Sequence, residues 1–371
     1  MKKQKIAIDL LWVRPEKVGG TEFYIRNILD GLCEIKETFH FALLVSKDNA
    51  ETFRKYAEDK RFHLIIAEVC SANISKRIIW QNLFQNSLLR KNGITCCFVP
   101  VYCRPVFNGG IIYINTIHDL QAAHYPEYHP FHEVAYTKMC WWLDVHKSKK
   151  IIATSCFVKK DILSYYKLPA DKVSVIYIPI KIDIENTCNF SKLAEKWEIE
   201  EKQYYYTVAQ MIPHKNLKTL VKVIKEIKAH ASDLPCKLLI SGINGNAAED
   251  IKKQIAGEQL QNHIILTGFI NNTERNTLYK NCRAFLFPSV FEGFGMPPIE
   301  AMGYGAPVIT TKCASIPEIT QGLATYVDDP YDVQNWIEKI RGAVNHSAEL
   351  DLSRYDKICL SQKILNYLKE I

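Results

Sequence analysis

Phe287-Pro288-Ser289-Val290-Phe291-Glu292-Gly293-Phe294-Gly295-Met296-Pro297-Pro298-Ile299-Glu300-Ala301-Met302-Gly303 is the stretch whose reading decides the fold. Before it, Arg283-Ala284-Phe285-Leu286-Phe287 is an apolar run of buried-strand length. The glycines that follow make a loop, and Pro297-Pro298 fall where the first positions of a helix belong. A strand, a loop and a helix in that order form one unit of a parallel α/β sheet. The loop of such a unit lies outside the carboxyl end of its strand, and the first N–H groups of the helix point into the same crevice with partial positive charge. An anion is expected there.

Two carboxylates flank that spot, Glu292 in the loop and Glu300 in the first part of the helix, with seven residues between them. Carboxylates repel phosphate and accept hydrogen bonds from hydroxyls. A ligand that carries phosphate between two hydroxyl-rich groups, such as a nucleotide-sugar, satisfies both halves of the site. Spacing alone also admits a plainer reading, in which Glu300 complements the helix dipole for about 0.3–1 kcal/mol and Glu292 is a surface loop residue.

The chain of 371 residues is too long for one ordinary core and suits two domains. A hydrophobic fraction of 47% with 23% charged residues belongs to the soluble globular class. No run approaches the ~18 apolar residues that cross a bilayer, and the basic start Met1-Lys2-Lys3 meets Asp9 and Arg14 before a signal-peptide core can form. The twelve cysteines include no Cys-x-x-Cys pair, so they are read as reduced thiols in a cytoplasmic protein. The net charge of +7 is uneven: residues 1–180 carry +8 and residues 181–371 carry −1. A basic first half predicts attraction to an anionic membrane face or a phosphate-bearing acceptor. No nucleic-acid-binding signature accompanies the charge, so nucleic acid is not expected as a partner.

Strand-like runs and helical periodicities alternate along the whole chain. After Ile6 to Leu11 the chain turns through Arg14-Pro15-Glu16-Lys17-Val18-Gly19-Gly20, and a helix follows from Thr21 to Cys33 with Thr21 as its cap. The paired glycines Gly19 and Gly20 let backbone approach a ligand, and the helix start can face phosphate. A helix is predicted over Ser75 to Lys91, with Ile78, Ile79, Leu83, Phe84 and Leu88 on its buried face and Trp80 read as core, the alternative being an outward lipid- or acceptor-facing contact. Gly110 to Ile117 is a strand that ends in His118-Asp119, on the ligand side of a parallel sheet. The pattern restarts after a polar stretch near Ile180 to Gln203. In the second half Pro213-His214-Lys215-Asn216 follows the first strand and puts Lys215 at the crevice. Asp328-Asp329-Pro330-Tyr331-Asp332 reads as an acidic turn opening a helix at Val333, so no metal site is assigned. The fold class is therefore α/β, with two doubly wound domains.

The block Glu292 to Gly303, followed by Gly305-Ala306-Pro307-Val308-Ile309, closely resembles the signature of retaining glycosyltransferases of family 4, which have the GT-B fold. The Gly19-Gly20 loop, His118-Asp119, Thr154-Ser155 and Lys215-Asn216 occur in the order that family would have. The resemblance implies two Rossmann-like domains facing across a cleft: an acceptor-side domain over 1–180, a nucleotide-sugar-binding domain over 181–350, and a last helix within 351–371 that crosses back to the first. It implies donor sugar contacts from Glu292 and His118, diphosphate neutralisation by Lys215, and binding of the donor by Gly19, Gly20, Gly293, Phe294, Gly295, Met296 and Glu300, the last through the ribose hydroxyls. Neither metal nor cofactor is expected. The family's arginine five positions before the lysine is Gln210 here, so either Lys215 acts alone with the backbone amides of Gly293 to Met296 and Gly20, or His214 or Arg104 serves as a second cation.

The expected activity is transfer of a hexose, with mannose from GDP-mannose as the leading donor and UDP-sugars next. The expected acceptor is a saccharide or lipid-linked saccharide of a surface polysaccharide, met in the cytoplasm or at the inner membrane face. A sugar-nucleotide epimerase and a non-catalytic sugar-binding protein are the readings from other classes. A phosphorylase would need a lysine for pyridoxal phosphate, and no such signature is present.

Overall fold

The computed structural model describes residues 5–14, 19–343 and 349–370. The expected turn at Pro15 to Val18 and the basic start at residues 1–4 lie outside them. The chain divides into two compact units, one of residues 1–181 with 353–371 and one of residues 182–352.

In the first unit the strands are β1 (Ile6–Asp9), β2 (Phe41–Ser46), β3 (Phe62–Ala67), β4 (Cys96–Val99), β5 (Ile112–Ile117), β6 (Lys150–Ala153) and β7 (Val173–Val175). They pair in the order β3-β2-β1-β4-β5-β6-β7, parallel at every step. The second unit has β8 (Tyr205–Val208), β9 (Leu238–Ser241), β10 (Ile264–Gly268), β11 (Ala284–Phe287), β12 (Val308–Thr311) and β13 (Thr325–Val327), in the order β10-β9-β8-β11-β12-β13, again all parallel. These strands are short apolar runs, as residues covered on both sheet faces must be: Ile6–Asp9, Cys96–Val99, Leu238–Ser241 and Ala284–Phe287 are buried throughout. In each sheet the chain steps outward through three strands and then returns to the other side of the first. The order reverses between β1 and β4 in one unit and between β8 and β11 in the other, and ligands of open parallel sheets bind outside the carboxyl ends of strands at such reversals.

The first helix runs Gly20–Glu34, and Gly19 rather than Thr21 is its cap, with φ of 63° in the left-handed region and no side-chain capping bond. Glycine takes that conformation freely, which suits it to the turn that opens the helix. The last helix, Lys357–Lys369, lies along Gly20–Glu34. Gly31 makes the approach possible, because a Cβ there would collide with Ser361 Oγ and the Lys357 carbonyl, and Ser361 Oγ donates to the Ile28 carbonyl at 3.1 Å.

The helical stretch after β3 differs from its expected packing. It runs as Ile74–Trp80, one π-turn at Gln81–Gln85, and Asn86–Lys91. Its buried residues are Arg77, Gln81, Gln85 and Leu89, while Ile79, Leu83 and Phe84 are exposed and Ile78, Trp80 and Leu88 are half-buried. The cause is Asp9, a fully buried carboxylate at the end of β1 that accepts from Gln85 Nε2 at 2.8 Å, Gln81 Nε2 at 3.4 Å and the Leu11 N–H at 3.0 Å. A buried carboxylate must be hydrogen-bonded, and serving it turns the amide edge of the helix inward and the apolar edge outward.

Candidate active site

Two loops meet at the β8/β11 reversal. The loop after β11 enters the helix Met296–Gly303 through Gly295, whose φ of 92° only glycine adopts readily, with the prolines at the first helical positions. The loop is held from two sides. The Ser315 hydroxyl lies 2.8 Å from the carbonyls of both Glu292 and Phe294, and the His214 carbonyl accepts from Val290 N–H at 2.9 Å and Ser289 Oγ at 3.1 Å. The second loop, after β8, is a single 3₁₀ turn at Pro213–Lys215 ended by Asn216 in the left-handed region. Asn216 fastens that turn by donating to the Pro330 carbonyl at 3.0 Å.

That arrangement brings Lys215 Nζ to 2.5 Å from Glu292 Oε1. Both side chains are largely covered, at 17% and 10% exposure, so the pair is neither a fully solvated surface contact nor a core ion pair. Gly293, Phe294 and Gly295 are buried around it and Met296 is half-buried. Glu300, in the same helix, is held separately: its Oε2 accepts from Tyr279 Oη at 3.1 Å, and its Oε1 lies 3.6 Å from the Arg275 guanidinium. Tyr279 packs edge-on against Tyr206 and Phe285 and stacks with Tyr304. Burial opposes the charge on Arg275, but Glu300 and the surrounding tyrosines offset it, so its pKa stands above the ordinary arginine value. Among the described residues its Nε has no hydrogen-bond partner.

Arg275 and Tyr279 were not singled out by the sequence reading. Their signal is a spacing of four on the helix Asn272–Asn281, which puts both on one face. Of the two candidate second cations, Arg104 lies in the first unit and His214 in the turn after β8. The Arg104 Nε donates to the Pro105 carbonyl at 3.0 Å, and its guanidinium bonds Asn108 and lies over the Tyr113 ring, all within the first unit. His214 contributes its carbonyl to the loop.

In the first unit Gly19 and Gly20 open the helix that carries Tyr24, and the Tyr24 ring meets His118 edge-on at 5.0 Å. His118 Nε2 is 2.8 Å from the Pro100 carbonyl. Burial pulls the imidazole pKa down to about 4 despite that bond, so the ring is neutral at pH 7. A carbonyl only accepts, so Nε2 carries the proton and Nδ1 is left as an acceptor. Among the described residues no group of three or more His, Cys, Asp or Glu is arranged to hold a metal ion. The acidic turn at 328–332 instead caps a helix, Asp332 accepting from the N–H groups of Gln334 and Asn335.

The sequence family described as Glycosyltransferase Family 4 matches residues 18–184, and Glycosyl transferases group 1 matches residues 189–355. The chain belongs to the family 4 glycosyltransferases. This glycosyltransferase is 28% identical over 261 residues to the O-antigen chain mannosyltransferase RfbU of Salmonella typhimurium, covering 69% of each chain. It is 27% identical over 222 residues to the O-antigen chain mannosyltransferase B of Escherichia coli, covering 59% of this chain and 58% of that one. Among solved structures it is similar to Anabaena HepE in complex with UDP and glucose, with a TM-score of 0.72, 14% identity and 99% and 100% of the two chains covered. It is also similar to sucrose-phosphate synthase of Thermosynechococcus elongatus, with a TM-score of 0.76, 15% identity and 99% coverage of both. The two parallel-sheet units of this glycosyltransferase are those of the GT-B fold.

Proposed function

We propose that this glycosyltransferase moves a hexose from a nucleotide-sugar, mannose from GDP-mannose first, to a saccharide or lipid-linked saccharide in the synthesis of a surface polysaccharide. The mannosyltransferase names of the Salmonella and Escherichia relatives support the sugar and the pathway. The observation that carries the reading is the Lys215–Glu292 pair at the start of the helix that also holds Glu300. Lys215 and the N–H groups of the helix start bear on the diphosphate, Glu292 accepts from donor sugar hydroxyls, and Glu300 accepts from the ribose hydroxyls. His118 accepts from a sugar hydroxyl through Nδ1. The leaving nucleoside diphosphate gains negative charge as the glycosidic bond breaks, and a fixed cation acts where that charge develops.

In this reading the configuration of the donor is retained and no metal takes part. The bond from the anomeric carbon to the phosphate oxygen breaks while the acceptor oxygen bonds to the same face of that carbon, and the acceptor's proton passes to the departing phosphate. A panel of nucleotide-sugars, each with and without extracted lipid acceptors, tests the proposal. GDP-mannose is expected to release GDP and to label an acceptor. Turnover of a UDP-sugar alone moves the donor assignment, conversion of free donor to an epimer replaces the reaction class, and inertness of every donor makes the chain a sugar-binding protein.

A further inference from the structure

The turn that leaves β4 at the reversal in the first unit, residues 100–104, packs on the helix Phe131–Lys147 and brings two thiols together. Cys103 Sγ lies 3.9 Å from Cys140 Sγ and donates to it, Tyr136 Oη donates to Cys103 Sγ at 3.8 Å, and the Tyr102 ring meets Trp141 edge-on at 5.9 Å. Tyr136, Cys140 and Asp144 are spaced by four, so one face of the helix carries all three. Asp144 is fully buried, and among the described residues neither of its oxygens accepts from a side chain. Burial, then Cys140, raises its pKa against the pull of the Arg104 guanidinium. None of these groups has a part in the proposed transfer.

Packing alone accounts for two covered thiols in contact. It does not account for the backbone at Cys103, whose φ of 101° lies where residues with a side chain rarely stand. Such a conformation persists where the surroundings impose it, and here it sets one sulfur against the other. The bond from Cys103 holds the Cys140 thiol below its ordinary pKa, which makes Cys140 the nucleophilic sulfur, and Cys103 is only half-buried, which gives a small oxidant a way to the pair.

The same turn is tied to the candidate site. The Pro100 carbonyl accepts from His118 Nε2 at 2.8 Å, and the Val101 carbonyl accepts from Asn115 Nδ2 at 3.2 Å. A disulfide holds its sulfurs about 2.05 Å apart. Closing that bond from 3.9 Å draws the turn toward the helix and displaces the carbonyl that orients His118.

We propose that Cys103 and Cys140 form a reversible disulfide when the protein meets a peroxide, and that its closure shifts the 100–104 turn together with His118 and slows transfer. The effect on transfer rests on the place given to His118 in the proposed function; the disulfide does not. The Cys140 sulfur attacks one peroxide oxygen, the O–O bond breaks, and the hydroxide leaves as water with the proton Cys140 gave up, so that Cys140 carries S–OH. Asp144 takes the Cys103 proton and passes it to the second departing hydroxide as the Cys103 sulfur attacks Cys140 and the S–O bond breaks. The two thiols lose two electrons and two protons, and one peroxide becomes two waters. A dithiol reductant reverses the bond by exchange, as suits a regulatory rather than a structural disulfide.

The test treats the full chain with hydrogen peroxide or with dithiothreitol, alkylates the remaining thiols, and maps peptides by mass spectrometry without reduction. After peroxide a pair of peptides joined through Cys103 and Cys140 is expected, two hydrogens lighter than their sum, and dithiothreitol is expected to abolish it. Donor turnover should fall at least about tenfold on oxidation and recover with dithiothreitol, since a misplacement of about 1 Å near the reacting groups can cost 100-fold. The His118 imidazole resonance, assigned by its loss in His118→Asn, should shift on oxidation and return on reduction. Cys140→Ser is expected to keep the turnover of reduced wild type and to lose the reversible fall. Both thiols still alkylated at a peroxide dose that oxidises the exposed Cys156 and Cys359 overturns the proposal. So does a joined pair that changes neither turnover nor the His118 resonance. Inertness of every donor strikes the proposed function instead, and the joined peptide and the resonance then decide the disulfide and its reach without turnover.

Discussion

Lys215 Nζ and Glu292 Oε1 are 2.5 Å apart although 77 positions separate them in sequence, and each belongs to a loop leaving the carboxyl end of a strand at the β8/β11 reversal. The pair holds both side chains fixed in a largely covered place. A donor that brings its diphosphate to Lys215 takes the cation from Glu292 and leaves that carboxylate available for sugar hydroxyls. Lys215→Met is accordingly expected to lower kcat by about 10²–10³-fold and to weaken binding of the product nucleoside diphosphate, measured by steady-state kinetics and titration calorimetry. Unchanged product affinity would remove Lys215 from the diphosphate.

Arg275 is expected to act through Glu300. If the guanidinium orients that carboxylate for the ribose, wild type should prefer the natural nucleoside diphosphate over its 2′,3′-dideoxy analogue by at least about tenfold, since hydrogen bonds to a charged acceptor are worth about 1.5–3 kcal/mol each. Glu300→Gln and Arg275→Leu should each shrink that preference, and Arg275→Lys should restore part of it. Weakening of both ligands alike in Arg275→Leu would reduce the arginine to a packing role.

His118 sets a pH dependence of stability. Its pKa is about 4 in the folded protein against 6.5 for the free side chain, so the unfolded chain binds more protons between those values. Stability from this group is therefore complete above about pH 6.5 and is lost as pH falls toward 4, by at most about 3 kcal/mol. His118→Asn is expected to flatten the fall of the unfolding midpoint between pH 7 and 5. A wild-type curve no steeper than the variant's would place the imidazole in an ordinary solvated setting.

Gly31 tests whether the last helix is integral to the first unit. Gly31→Val must displace Ser361 and the Lys357 carbonyl, and overpacking of that kind costs about 1–3 kcal/mol. Thermal unfolding should show a lowered midpoint, and a wild-type midpoint would mean that the Lys357–Lys369 helix is free to shift.

How much of this was legible in the sequence depended on whether the deciding interaction was local. The strand, loop and helix from Arg283 to Gly303 are local: an apolar run, a glycine at positive φ and two prolines at a helix start each state their own conformation. The helix at 74–91 was misread because periodicity locates an apolar edge without saying which edge is buried. The answer lay 72 and 76 positions away in Asp9, whose buried carboxylate draws in Gln81 and Gln85. Arg275 escaped notice for a related reason. A lone arginine on a polar helix reads as solvated, and only the fold brings Glu300 to it. The cap position expected at Thr21 is held by Gly19, two residues earlier.

Glu292→Gln separates service to the reacting sugar from service to the loop, because glutamine keeps the size of the side chain and removes its charge. Turnover and donor affinity should be measured on one preparation of the variant, with the donor that wild type uses. A kcat at least about 100-fold below wild type is expected, with nucleoside diphosphate affinity within a few-fold of it. Turnover of the donor at the wild-type rate by the variant would take Glu292 out of the reaction.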